Sequence, residues 1–385
     1  MDQEQALRER LAKASAPPSR VSIDSVLPAA QRAARRRQAL WAGAGVALAV
    51  GALVTVPNVL LGDERAPAVT AAPSKATPSA VAPSTSIPEN DCRMRELPVP
   101  KGMTGVEADG IDPTGRYIVG HATKKQDFLP ILWTDGKPEA LPMTAKSVQL
   151  SAVNPNGVVV GLSSDGTEDE VFRYANGTYT TLRMPPGEWH PYPEPVVNAA
   201  GDVLINAEPR GNIEGKGAIV LLWKAGSTEP VRLPLPKGAH GSALADDGTI
   251  AGAIYSGGAK AAYVWDQQGT GRKLKTPAGQ RTAGYAMRGD WVTGGVWEPG
   301  HAGLWNLRTG ALTEITAGDE PGEAVNASGW ALTAGGRLIR DGRVVELPGP
   351  GAGRIVRSSG LSDGGLVVGG VELSDGLMHP RVWQC

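Results

Sequence analysis

The chain has 385 residues and a formal net charge of -1, so it has room for two ordinary domains or one large all-β domain, and no bulk positive charge draws it to nucleic acid. Gly at 51 and Pro at 31 point to many tight turns, while apolar residues at 41% and glycines without a three-residue period exclude collagen-like and wholly disordered chains. The abundance of Ala, Gly and Arg beside little Lys or Phe is the composition of a bacterium with a GC-rich genome.

Residues 1–38 are polar, carry eight Lys/Arg against four Asp/Glu, and end in the cluster Arg32, Arg35, Arg36 and Arg37. From Ala39 to Leu61 no residue is charged. About 20 apolar residues span a bilayer as a helix, so residues 39–61 are predicted to form one transmembrane helix. A cleaved signal peptide has an apolar region of about 7–15 residues; this run is longer and starts later, so an uncleaved signal-anchor is expected. By the positive-inside rule the arginine cluster keeps residues 1–38 in the cytoplasm, and everything beyond Leu61 lies outside the bacterial cell membrane. Residues 62–91 are rich in Pro, Ala, Ser and Thr with almost no large apolar side chains. Such a segment buries too little surface to offset the entropy of ordering, and a disordered tether is expected there.

From Cys92 to Cys385 one pattern recurs seven times. A polar turn with glycine leads into a short β-branched run. After a variable loop comes a second apolar run ending in an aromatic residue, then another polar turn and a third run ending in Leu or Ile. Two copies read GIDPTGRYIVG with PILWTDGKPEALP, and AVNPNGVVVG with VFRYANGTYTTL. The turn glycines Gly115, Gly157, Gly201, Gly248, Gly289, Gly329 and Gly364 are spaced by 42, 44, 47, 41, 40 and 35 residues, which suits one four-stranded blade per repeat. Residues 92–385 are therefore predicted to form an all-β, seven-bladed β-propeller. Trp133, Tyr174, Trp223, Trp265, Trp305 and Trp383 hold one register, which marks packing of blade on blade rather than a ligand cage.

The seventh copy stops at Trp383-Gln384-Cys385, and its missing closing run stands at the other end of the domain as Cys92-Arg93-Met94-Arg95-Glu96-Leu97-Pro98. The N-terminal strand is expected to complete blade seven and close the ring, removing an open sheet edge. In the first two copies eight residues lead from the aromatic to the closing Leu, from Trp133 to Leu141 and from Tyr174 to Leu182. Counting Trp383 to Cys385, across a bridge, and Cys92 to Leu97 gives the same step. A Cys92–Cys385 disulfide is thus predicted in place of a peptide turn, in an oxidising compartment.

The repeats resemble the bacterial extracellular propeller repeats named for a His-Ala-Phe (HAF) signature: an Asn-x-x-Gly turn, a Val-Val-Gly strand, then His-Ala-Phe-Leu-Trp and a closing Leu. The matching residues are Asn154-Pro155-Asn156-Gly157 with Val159-Val160-Gly161, and His301-Ala302-Gly303-Leu304-Trp305, with His379-Pro380-Arg381-Val382-Trp383 a looser fit. The resemblance covers residues 92–385, and the layout looks like the membrane-anchored, WD40-like propeller proteins of actinobacteria. It implies a propeller outside the cytoplasm and implies no reaction.

In a propeller the first-to-second and third-to-fourth strand turns share one face, and the second-to-third loops and blade connections share the other. Here the first face has short turns, and the second carries the long segments 121–128, 163–170, 183–195 and 208–217. The tether joins the short-turn face, so the elaborate face is expected to point away from the membrane. Loops on a rigid scaffold carry a large share of binding residues. Within 183–195, Trp189, His190 and Tyr192 are stiffened by five prolines and are the candidate binding residues. The acidic run Asp165, Glu168, Asp169 and Glu170 lacks the ordered spacing of a calcium loop and reads as a solvated loop. The five histidines are scattered, with no HExxH, His/Cys cluster or GxSxG, so no catalytic residue, metal site or cofactor is predicted. The expected function is non-catalytic binding or sensing of a protein or polysaccharide of the cell envelope. One alternative is a lyase or hydrolase acting on extracellular glycans, which a buried ionisable cluster at the channel mouth would favour. The other is a structural scaffold of an envelope complex.

Overall fold

The computed structural model describes residues 92–125, 127–211, 217–256, 258–298, 300–349, 351 and 356–385; the predicted cytoplasmic segment 1–38, membrane helix 39–61 and tether 62–91 lie outside them. Among the described residues no helix is long and apolar enough to cross a membrane. Short β-branched runs separated by polar glycine turns fold into antiparallel hairpins. Seven sheets result, and they make a seven-bladed β-propeller. Blade 1 runs outward from Val106–Ile111 through Tyr117–Lys124 and Asp127–Thr134 to Lys137–Ala140. The innermost strands of blades 2, 4, 5, 6 and 7 are Ser147–Val153, Ala239–Leu244, Arg281–Arg288, Gly322–Val325 and Val356–Leu361. Blade 3 breaks its inner strand into Trp189–Pro191 and Val196–Val197.

The ring closes as the repeat arithmetic predicts. Arg93–Glu96 pairs antiparallel with Met378–Gln384 as the outer strand of blade 7, and Cys92 is bonded to Cys385. The Cys385 N–H donates to Gly365 O in the first turn of that blade, so the bridge lies on the short-turn face. That turn puts Gly365 (φ 77°), rather than Gly364, in the left-handed conformation.

Apolar side chains gather between neighbouring blades, as where Val119 and Leu132 of blade 1 meet Val148, Leu150 and Val159 of blade 2. The aromatic register is structural. The indole N–H groups of Trp133, Trp223, Trp305 and Trp383 donate to the carbonyls of Pro98, Arg183, Lys275 and Pro348, at 2.6, 3.1, 2.8 and 2.8 Å. Each carbonyl belongs to the connection arriving from the preceding blade, so a fully buried ring finds its one polar partner there.

The Asn-x-x-Gly turns have a double task. Asn154 Oδ1 accepts from the N–H groups of Asn156 and Val158, while its Nδ2 donates to Asn198 O of the next blade at 2.9 Å. Asn198 and Asn326 repeat the arrangement, reaching Ala245 O and Ser362 O. Arg288 of blade 5 completes this face, donating to Asp246 of blade 4 at 2.8 Å and Asp363 of blade 7 at 2.9 Å. Blades 5 and 7 are not neighbours, so the guanidinium crosses this end of the channel.

One irregularity recurs. The pairing of first and second strands shifts register at Asp109, Ser151, Ser242, Tyr285, Glu323 and Ser359, a β-bulge in every blade but the third. A bulge inserts one residue, bends the strand and re-aims the side chain it carries. The second-strand glycines Gly120, Gly161, Gly252, Gly294 and Gly369 sit opposite the residue just before the bulge. A Cβ on any of them would run into a backbone carbonyl of the innermost strand. The Val-Val-Gly element of the repeat is thus the imprint of the bulge.

Candidate functional site at the channel mouth

The six bulge residues all line the central channel, which encloses about 2830 Å³. In blade 3 the residues between the two halves of the inner strand, Tyr192 to Pro195, take their place. Among the described lining residues, twelve carboxylates face four cationic side chains, although the whole chain is nearly neutral. Walls of one charge around a recess focus its field, so the channel attracts cations and repels polyanions.

The three sequence-predicted residues are split. His190 and Tyr192 line the channel, whereas Trp189 packs against the core shared by blades 2 and 3 and donates its indole N–H to Pro186 O at 3.2 Å. Tyr192 is fixed by its N–H to Asn206 O at 2.9 Å, and its phenol donates to Glu208 Oε2 at 3.4 Å. Four further groups complete this wall of the mouth. Tyr192 meets His240 edge-on at 5.6 Å, and His240 lies 4.7 Å from Tyr255 at an interplanar angle of 31°. The Tyr255 and Tyr285 hydroxyls share a hydrogen bond, and Tyr285 meets Trp297 at 6.1 Å.

On the opposite wall the Asp109 carboxylate lies 2.5 Å from His121 Nδ1, with both side chains buried and the imidazole edge-on to Phe128 at 4.4 Å. The buried pair of a bulge residue with a second-strand histidine orients the carboxylate beside the channel. His301, 3.0 Å from Glu314, and His379, 2.9 Å from Asp375, lie away from the channel lining. In the acidic loop, Asp165 Oδ1 accepts from the N–H and hydroxyl of Thr167 and from the N–H of Glu168. These bonds hold its carboxyl down to about 2 and close a local turn. Among the described residues no three His, Cys, Asp or Glu side chains converge to hold a metal ion.

Burial pushes Tyr255 up to about 12, and it raises Tyr285 well above its ordinary value, reinforced by Tyr255 and by the nearby Glu323 charge. Both phenols therefore stay protonated through the physiological range. An unfolded tyrosine ionises near pH 10, so above that pH the unfolded chain releases protons that the folded chain retains. Stability is full below about pH 10 and falls as pH rises toward the folded values. Thermal melts from pH 8 to 11 should show this slope, together with phenolate absorbance that increases on unfolding. A Tyr255→Phe/Tyr285→Phe chain should lessen the slope, leaving the part due to Tyr174 and Tyr179, which burial also raises, and an equal slope in the variant would refute the assignment.

Sequence reasoning did not find Asp109, Glu208, His240, Tyr255, Tyr285 or Glu323, which come from five blades and share no local motif. One signal was available. In each bulged repeat a variable residue sits between two neighbours that are mostly small, as in Ala108-Asp109-Gly110, Gly284-Tyr285-Ala286 and Gly322-Glu323-Ala324. Superposing the repeats exposes that column.

Fold and site together define a seven-bladed β-propeller with an acidic, tyrosine-rich channel mouth. No protein-family model and no curated protein matches the chain. Among solved structures it is similar to an oligogalacturonate lyase of Vibrio parahaemolyticus, with a TM-score of 0.56 and 8% identity over 77% of this chain and 94% of that one. It is also similar to an oligogalacturonate lyase in complex with manganese, with a TM-score of 0.53 and 11% identity over 72% and 88%. YCF48 bound to D1 peptide matches at a TM-score of 0.46 and 11% identity over 77% and 97%. At such identities the likeness is one of fold, and function has to be argued from the site.

Proposed function

We propose that the chain is a non-catalytic binding module, a propeller held outside the cytoplasm by one membrane-spanning anchor, whose channel mouth faces away from the anchor and takes a protein or polysaccharide of the cell envelope. The mouth supports this reading. At about 2830 Å³ the channel far exceeds a small-molecule pocket of about 300–1,000 Å³, so its size suits part of a polymer. Its side chains suit holding better than turnover. A general base needs a pKa near the working pH, whereas burial keeps Tyr255 and Tyr285 protonated and hydrogen-bonded to each other.

Full-length protein in detergent micelles, mixed with fractionated envelope polysaccharides and proteins, should be retained by one component. A Tyr192→Ala/Glu208→Gln chain should lose that retention with its melting temperature unchanged. Absence of retention by every fraction, or retention indifferent to the double substitution, rejects the proposal. A second reading, a lyase or hydrolase of extracellular glycans, is favoured by one grouping, the buried Asp109–His121 pair beside the channel. Release of glycan fragments by the full-length protein, abolished in Asp109→Asn, would select it.

A further inference from the structure

Resting on the binding reading above, we infer that the ligand is a neutral polysaccharide strand, laid along the wall that blades 3, 4 and 5 raise at the channel mouth. Tyr192, His240, Tyr255, Tyr285 and Trp297 form that wall and touch one another in series. All five are half-buried, so each offers the channel part of a ring, with His240 Nε2 shielded from it. A sugar ring presents apolar C–H faces bordered by hydroxyls, and each hydroxyl both donates and accepts. The wall has the complementary set. Phenol oxygens and carboxylates stand close together, Tyr192 with Glu208 and Tyr285 near Glu323, and their remaining lone pairs accept from sugar hydroxyls between patches of aromatic surface. Hydrogen bonds from hydroxyls to an ionised carboxylate are short and about twice as strong as neutral ones.

Charge then chooses among polymers. The excess of carboxylates repels polyuronates and other anionic chains. It attracts cationic peptides, but three carboxylates of the mouth are already engaged. Glu208 accepts from Tyr192, Glu298 pairs with Arg281 at 3.0 Å, and Glu320 accepts the Gly335 N–H at 2.8 Å and the Thr333 hydroxyl at 3.1 Å. A lysine ammonium would compete with these partners for the charge, whereas a sugar hydroxyl adds to the remaining lone pairs. The channel's size calls for a chain of several sugars rather than one.

The test is calorimetric titration of full-length protein in detergent micelles with neutral glucan, mannan and galactan oligosaccharides, with oligogalacturonate of matched length, and with a lysine-rich peptide. At least one neutral series should bind, more tightly with length and equally at low and high salt. Oligogalacturonate should bind at least about tenfold more weakly. Tyr192→Phe keeps the ring and removes the hydroxyl that accepts from the sugar and holds Glu208, which should weaken binding about 5-fold. Trp297→Ala should weaken it about tenfold. Asp135→Asn, in an exposed outer turn of blade 1 away from the channel lining, should leave affinity unchanged, and melting curves verify that each variant is folded. The inference is overturned if no neutral series binds, if oligogalacturonate binds as tightly, or if neither wall variant changes the affinity. Salt-sensitive binding of the lysine-rich peptide, lost in Tyr192→Phe, overturns the polysaccharide assignment and leaves the binding module standing. Absence of envelope retention removes both.

Discussion

A Cys385→Ser chain is expected to melt about 10 °C below the parent, and reductant is expected to lower the parent by the same amount while leaving the variant unmoved. The reasoning starts from loop length. The bridge joins residues separated by 293 positions, and cross-linking so long a loop removes about 5 kcal/mol of conformational freedom from the unfolded chain. A domain of this size shifts its melting point by about 2 °C for each kcal/mol. The native state adds a second reason. The strand the bridge secures, Arg93–Glu96, is only four residues long, and three of them are exposed, so it has little apolar surface of its own to hold it on blade 7. The next fixed points are buried Leu97 and the Pro98 carbonyl that accepts from Trp133. Amide exchange should therefore rise first at residues 93–96 and at their partners 381–384 when the bridge is cut. A melting curve indifferent to both substitution and reductant would mean that strand pairing alone closes the ring.

The features that could be read from sequence are those that repeat. A hairpin needs glycine at a left-handed turn position, and a buried blade needs alternating apolar residues, so both recur every forty or so residues and reveal the blade number. Ring closure was legible because blade 7 lacks a run that Arg93–Glu96 supplies, and the cysteines because they restore the aromatic-to-leucine step. The channel mouth was not legible in this way. Only Asp109, Tyr285 and Glu323 occupy the column in which the repeats differ, whereas Glu208, His240, Tyr255 and Trp297 stand elsewhere on their strands. Their meeting depends on the circular arrangement of blades rather than on spacing. Tyr285 and Glu323 act together only because adjacent bulges aim both at the same space. The rigid segment 183–195 did point to the mouth through His190 and Tyr192, but periodicity could not tell that Trp189, one residue earlier, faces the blade 2–3 core. A strand's alternation fixes which residues share a face, and the broken inner strand of blade 3 interrupts that alternation.

Gly120→Ala, a change of one methyl group, is expected to destabilise the propeller by about 3 kcal/mol and to lower its melting point by about 6 °C. Gly120 faces Ala108 across the first hairpin of blade 1, immediately beside the Asp109 bulge. An added Cβ would collide with the Glu107 carbonyl oxygen and come within 3.0 Å of Ala108 Cα. Both obstacles are backbone, so no rotamer change relieves them; the innermost strand has to move. Moving it pulls Asp109 away from His121, and a buried carboxylate and imidazole lose each other. The same substitution at Gly161, Gly252, Gly294 or Gly369 should act alike, because each would meet the corresponding carbonyl of its own innermost strand. Gly136→Asn is the contrasting case. Gly136 sits at φ 75° in an outer turn of the same blade with nothing within 4 Å of an added Cβ. Asparagine tolerates that conformation, so the change should stay within about 0.5 kcal/mol. Equal melting points for Gly120→Ala and Gly136→Asn would show that the inner strand yields freely. The bulges would then be too soft to hold the residues of the mouth in place, and a binding function built on a fixed set of donors and acceptors would lose its physical basis. A large difference, accompanied by loss of ligand retention in Gly120→Ala at temperatures where the chain is still folded, would tie the repeat's glycine directly to the site it shapes.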